Sequence, residues 1–231
     1  MSYLYETHLH TSEVSRCGRS TAKEQILAYK ERGYTGVIVT DHFVNGWCNC
    51  PLDLPWNEKM VFMVTGYEEA KKEGDKIGLD VFLGWEYFDN GSDYLTYGLG
   101  FDFLIAHPEL MSLTIEEYSP LVRKYGGFLA QAHPYRISQP TENYLPAEAH
   151  LLDAIEVYNA TKPEEMNLKA FEYAKLHNIP MISGSDSHSE KLKFASGIKL
   201  AKKAESIFDI INAVKLRQAE LILPEESAYV L

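Results

Sequence analysis

The stretch "YTGVIVTDH", residues 34–42, decides the fold. Its centre is an uninterrupted run of small and β-branched residues, the pattern of a strand covered on both faces, as in parallel sheets flanked by helices. Just before it, "STAKEQILAYKERG" reads as a helix that opens on a capping box at Thr21 and Glu24 and stops at Gly33. Before that helix, "YLYETH" is a first strand. Strand, helix and strand in this order form the unit from which parallel sheets are built.

The alternation continues. Residues 43–57, "FVNGWCNCPLDLPWN", are turn-rich and aromatic and read as a long loop able to cover a site. A helix over about 58–77 and the strand "LDVFLGWEY" follow, then "DYLTYGLG" as another strand. The helix "TIEEYSPLVRKYGG" opens on a capping box at Thr114 and Glu117. "FLAQAH", "AIEVYN" and "IPMISGSD" read as strands, the last two separated by a helix over about 163–177. "GIKLAK", a helix over about 206–218 and "ELIL" complete the chain. About seven parallel strands with intervening helices predict an α/β barrel or a close variant. No repeat or break in composition marks a linker, so one domain over 1–231 is expected.

With 231 residues, 45% of them hydrophobic, the chain can bury a sizeable core. No apolar run approaches the roughly 18 residues needed to span a bilayer, and "MSYLYETHLH" lacks the features of a signal peptide. Cys17, Cys48 and Cys50 are too few and too clustered for a disulfide framework, and the "CNC" pair reads as ordinary loop thiols. A cytoplasmic protein with no membrane partner is the expectation. The net charge of −11 opposes sequence-blind binding of nucleic acid, unless bound cations reverse the local field.

Against this pattern the histidines and acids fall in register. His8 and His10 share one face at the end of the first strand. Asp41 and His42 end the second, Glu86 ends "VFLGW", His133 ends "FLAQA", and Asp186 and His188 follow "MISGS". Each sits at the C-terminal end of its strand, the rim on which barrel active sites are assembled. Singly, each has an ordinary explanation as a helix cap or loop partner. Together they require several strands to end independently in metal-ligand residues. His150 and His177 fall outside this pattern and read as structural. Imidazoles and carboxylates suit zinc, manganese or iron, and so many of them exceed the needs of one ion.

In the order "HLH", "TDH", "WE", "AHP" and "SDSH", spread over residues 5–190, the chain resembles the PHP family, the polymerase and histidinol phosphatase superfamily of metal-dependent phosphoesterases. The resemblance implies a distorted (β/α)7 TIM-like barrel and two or three divalent ions. Carried over by position, it implies that His8, His10, Glu86 and Asp186 surround a first ion. Glu86 would bridge to a second ion that takes His133, and His42 and His188 would serve a third. Asp41 would be a ligand or would orient a neighbouring imidazole. Where many members have a histidine in a "HILGYG"-like strand, this chain has "DYLTYG", so Asp93 replaces it, with His107 as the other candidate. In the loop after "HLH", members supply a His or an Asp before a Gly. Here Glu13 and Cys17 are available, and Glu13 is preferred as the harder ligand.

The expected activity is hydrolysis of a small phosphomonoester by a metal-bridged hydroxide. Arg136, three residues after His133, and Arg16 are the candidate phosphate contacts. His188 or Asp41 would protonate the leaving group. The rival readings are a phosphodiesterase acting on nucleotides or short oligonucleotides, a non-catalytic metal-binding module, and an amidohydrolase. The first needs a basic groove with interleaved aromatics, which the sequence does not offer. A module that keeps metal only for stability needs closed coordination rather than an open rim. The ligand order departs from that of amidohydrolases.

Overall fold

The computed structural model describes residues 2–136 and 145–225. The elements are β1 (Tyr3–Leu9), α1 (Ala22–Glu31), β2 (Gly36–Val39), α2 (Trp56–Met63), α3 (Thr65–Ile77), β3 (Asp80–Asp89), β4 (Ser92–Tyr97), α4 (Phe101–Ala106), α5 (Ile115–Lys124), β5 (Phe128–Ala132), β6 (Ala154–Asn159), α6 (Glu164–Leu176), β7 (Met181–Gly184), β8 (Gly197–Leu200), α7 (Ile207–Lys215) and β9 (Glu220–Ile222). The strands join in the order β7-β6-β5-β4-β3-β2-β1-β8-β9. Beyond β7 the chain returns to β1: Leu9 and Ser187 form a parallel bridge, with the His10 amide donating to Ser187 O at 2.9 Å. The sheet is thus a nearly closed, distorted TIM-like barrel. Among the described residues no helix is long and apolar enough to cross a membrane.

The distortion has a local cause. β4 was expected to run parallel, but it pairs antiparallel with both β3 and β5. Only Asn90 and Gly91 separate β3 from β4, with φ of +44° and +86°. A turn this short can only reverse the chain, and its positive φ values match the right-handed twist of a hairpin. β8 is likewise antiparallel to β1 and lies outside the ring, with β9 beyond it.

The helix expected over 58–77 is two helices that break at Val64. The Thr65 hydroxyl donates to Phe62 O at 2.7 Å, a local bond that competes with the helical ladder. The capping boxes at Thr21 with Glu24 and Thr114 with Glu117 both form. They start α1 and α5 at defined points and so set the lengths of the preceding loops.

Candidate metal centre

Barrel closure brings the ends of β1 and β7 together, and the side chains follow. His8 Nε2 lies 3.1 Å from His10 Nε2, 3.3 Å from Glu86 Oε1 and 3.5 Å from Asp186 Oδ1. His10 Nε2 lies 3.4 Å from Glu86 Oε2 and 3.2 Å from Asp186 Oδ1. Glu86 also faces His42 Nδ1 at 2.9 Å and His133 Nε2 at 3.2 Å, so its two oxygens touch four imidazoles. His8, His10, Glu86, Asp186 and His133 are all buried. Among the described residues, four overlapping groups hold ligand atoms within 4.8 Å of one another: His8–His10–Glu86, His8–His133–Asp186, His42–Glu86–Asp93 and His10–His42–His188.

The strand ends are bent to achieve this. His133 and Asp186 have φ of +27° and +50°. Left-handed backbone at residues other than glycine costs of the order of 1–3 kcal/mol each and persists where the surroundings enforce it. Glu156 on β6 helps to enforce it: its carboxylate accepts from His8 Nδ1 and from the His133 amide, both at 2.9 Å. With Nδ1 held in this way, His8 presents Nε2 to the cluster. Glu6 acts similarly from β1, accepting from the amides of His8 and Ser185 and from the Tyr29 hydroxyl. A side chain at position 184 would collide with Glu156 and His8, so Gly184 is what lets β7 approach.

The electrostatics suit cations. Burial alone would raise the Glu86 and Asp186 carboxyls. The His42 and His8 imidazoles reverse this for Glu86, and Lys162 and His8 reverse it for Asp186, so both lie well below the usual range. Asp93 is raised by burial and by the Glu86 charge. Among the described residues, Glu86 Oε2 and Asp93 Oδ2 are buried and receive no well-directed hydrogen bond, despite nearby cations. Unsatisfied carboxylate oxygens amid convergent imidazoles are the donor set of a divalent ion, so the residues fit one.

Several expected residues lie elsewhere. Glu13 does not reach the cluster: both its oxygens accept from the Ala22 amide at 3.0 Å, at the start of α1. From the same loop, Cys17 belongs to none of the ligand groups; burial opposes ionisation of its thiol, and the His188 and His42 imidazoles outweigh this and lower it to about 7. Asp41 is not placed to donate a proton to a substrate. Oδ1 accepts from the Thr11 amide at 2.7 Å and the Ser15 hydroxyl at 2.6 Å, and Oδ2 accepts from the Thr11 hydroxyl at 2.7 Å. Ser15 Oγ in turn lies 3.1 Å from His10 Nδ1, so Asp41 positions His10 from behind. Arg16 is exposed and donates to Cys48 O at 3.2 Å, away from the cluster. His107 pairs with Glu109 at 2.7 Å and packs on Phe103, whereas Asp93 stands beside His42 and Glu86. His188 donates from Nδ1 to Asp186 O at 2.8 Å, which leaves Nε2 for an ion and favours a ligand over an acid.

Two charged residues of the site escaped the sequence reading. Lys162 follows β6 and reaches Asp186 Oδ2 at 2.6 Å. Glu156 is a carboxylate inside the apolar run "AIEVYN", and that mismatch was the available signal. Arg136 lies at the mouth, its Nη1 2.8 Å from Asp93 Oδ2.

At the level of sequence, no family profile and no curated protein matches the chain. Solved structures do match its fold. A two-domain protein from Bacteroides vulgatus, described as containing a predicted PHP-like metal-dependent phosphoesterase, superposes with a TM-score of 0.72 at 16% identity, over 96% of this chain and 65% of that one. A lesion-specific endonuclease from Pyrococcus furiosus gives 0.63 at 15% identity, over 96% and 58%. An amidohydrolase from Chromobacterium violaceum, with bound sulfate and no metal, gives 0.57 at 14% identity, over 94% and 97%. The chain spans less than two thirds of the first two proteins. It has the fold of PHP-like phosphoesterases.

Proposed function

We propose that the chain is a hydrolase of the PHP type that uses two or three divalent ions (Zn, Mn or Fe) to cleave a phosphoester, most simply a small phosphomonoester. The observation that carries this reading is Glu86. Its two oxygens face His8 and His133 on one side and His10 and His42 on the other, the arrangement of a carboxylate shared between ions. Ions held there would polarise the phosphoryl group and activate water for attack.

The chain's own residues would do the rest. His8, His10, Asp186, Glu86, His133 and Asp93 would form the inner, buried part of the centre, with His42 and His188 nearer solvent. Lys162 and Arg136 flank the mouth, and each pairs with a carboxylate of the cluster. Once cations neutralise those carboxylates, both side chains can turn their charge to a substrate phosphate, Arg136 as a planar fork and Lys162 as a point charge. These two cations against a net charge of −11 favour a compact phosphorylated substrate over a polynucleotide, with nucleic acid admitted only as a short substrate.

The test is elemental analysis of gently purified protein together with hydrolysis of p-nitrophenyl phosphate, bis-p-nitrophenyl phosphate, a nucleotide panel and simple amides, with added Mn or Zn. Two or more ions per chain with monoester turnover is the expected result. Diester turnover alone would replace the monoester reading with the nuclease one, amide turnover alone would point to an amidohydrolase, and metal without turnover would point to a binding module.

A further inference from the structure

The chain's three tryptophans stand in different surroundings. Trp85 is buried and donates from Nε1 to the Tyr118 hydroxyl, and Trp56 packs on the core with Nε1 on the Leu104 and Ile105 carbonyls. Trp47 is 65% exposed. A single apolar residue at a surface needs no explanation, so exposure alone assigns nothing. Trp47 differs in how its backbone is held and in what lies beside it.

Its loop leaves β2 at His42. The Phe43 amide donates to Glu86 O and the Gly46 amide to Phe43 O, both at 2.8 Å, and Asn45 Nδ2 donates to Phe88 O at 2.8 Å, so the loop is rooted on the end of β3. It then pairs with the loop that leaves β1 at His10. The Arg16 amide donates to Trp47 O and the Asn49 amide to Val14 O, both at 2.8 Å, around an antiparallel bridge of Ser15 to Cys48. The Ser15 hydroxyl lies 3.1 Å from His10 Nδ1 and accepts from the His42 amide at 3.0 Å, and further along the same loop the Arg19 amide donates to His188 O at 2.7 Å. The two loops thus form one pinned wall along His42 and His188. The centre is most open on that side: the His42 and His188 side chains are 11% and 27% exposed, against 4% or less for His8, His10, Glu86, Asp93, His133 and Asp186. Arg16 shares the wall with Trp47. Its Nη2 donates to Cys48 O at 3.2 Å, which holds the guanidinium against the residue after Trp47 and uses one of its five N–H groups.

We propose that Trp47 is a specificity-determining residue: its indole is the platform on which a planar nitrogen heterocycle in the alcohol part of the substrate stacks, with Arg16 beside it to donate to the ring's acceptor atoms. The proposal rests on the phosphoesterase reading above and names the alcohol which that reading leaves open. Phosphate at the centre and a ring on the wall are the two ends of one small molecule, of which a mononucleotide is the simplest form. A loop braced by a rigid scaffold is where binding side chains are usually carried, and a tryptophan face accepts a flat ring at little entropic cost. Stacking of one base on an aromatic side chain strengthens binding by roughly 5- to 150-fold. One indole and one neighbouring arginine accommodate a single ring, which agrees with a net charge of −11 that disfavours a longer polyanion.

The experiment is calorimetric titration of the zinc-loaded full chain with two ligands that cannot be hydrolysed, the methylene phosphonate of adenosine and methylphosphonate. The proteins are the wild type, Trp47→Ala, Trp47→Phe and Leu52→Ala, the last removing another exposed apolar side chain of the same loop. The wild type and L52A should bind the adenosine ligand roughly tenfold or more tightly than methylphosphonate. In W47A that ratio should fall by roughly tenfold, and W47F, with its smaller ring, should lie between. A ratio near one in the wild type, or a ratio undiminished in W47A, would overturn the stacking site while binding of both phosphonates upheld the phosphoesterase reading. Failure of the zinc-loaded wild type to bind either ligand would overturn that reading and the stacking site with it.

Discussion

Lys162 Nζ lies 2.6 Å from Asp186 Oδ2, on the far side of that carboxylate from the His8 and His10 rings, which face Oδ1. One carboxylate thus serves both the imidazole cluster and a lysine. In the metal-free chain the lysine supplies the positive charge that a buried Asp186 requires, and a bound ion would take over that duty.

The consequence is a conditional stability effect. Lys162→Met should destabilise the metal-free protein by about 3 kcal/mol, because it leaves Asp186 buried without its partner. In the metal-loaded protein the loss should be much smaller. Thermal unfolding with and without chelator measures the difference, and equal losses in both states would remove the ion from beside Asp186.

Glu86→Ala deletes the carboxylate that all four nearest imidazoles share. The variant should keep its far-ultraviolet circular dichroism, lose at least one equivalent of metal and lose 10²-fold or more in turnover, an order-of-magnitude expectation for removing a shared ligand. Full activity in this variant would end the two-ion reading.

Glu156→Gln probes orientation rather than ligation. Glu156 touches His8 Nδ1 and the His133 amide but belongs to none of the four ligand groups. Neutralising it should weaken metal affinity by roughly 10–100-fold without changing stoichiometry at saturation. Isothermal titration after chelation reads both quantities.

Arg136→Ala should raise KM for a phosphomonoester by roughly tenfold, the loss of one charge-assisted contact, while metal content stays within experimental scatter. Because Arg136 also pairs with Asp93, Arg136→Lys is the control that keeps the charge there. Loss of metal in both variants would reassign Arg136 from the substrate to the centre.

Thiol chemistry gives a pH prediction. Burial pushes the Cys48 thiol up to about 12, whereas Cys17 lies at about 7. A thiol reacts as its thiolate, so the metal-free protein at pH 8 should be alkylated by iodoacetamide first at Cys17, with Cys48 protected until unfolding. Below its midpoint the Cys17 rate should fall about tenfold per pH unit, as the thiolate fraction does. Peptide mass spectrometry over a pH series checks both statements.

The alternation of strands and helices, and the strand ends that carry His8, His10, Asp41, His42, Glu86, His133, Asp186 and His188, are legible in the line of residues. Both follow from local periodicity, which one-dimensional information preserves. It also showed the capping boxes of α1 and α5, because capping is a contact between residues three apart. Which side chains face the centre depends on contacts between distant segments. Glu13 and Cys17 sit in one loop, and a turn pinned to Trp47 and His188, far off in sequence, leaves the Glu13 carboxylate on the Ala22 amide at the start of α1 instead of in the cluster. Asp41 looks like a ligand in the line of letters, but Thr11 and Ser15 occupy its oxygens. Lys162 and Glu156 carry no motif, and they matter because strand closure places them against Asp186 and His8. Direction within a turn and the partner that satisfies a buried charge are set by contacts between distant segments, and those exist only once the barrel has closed.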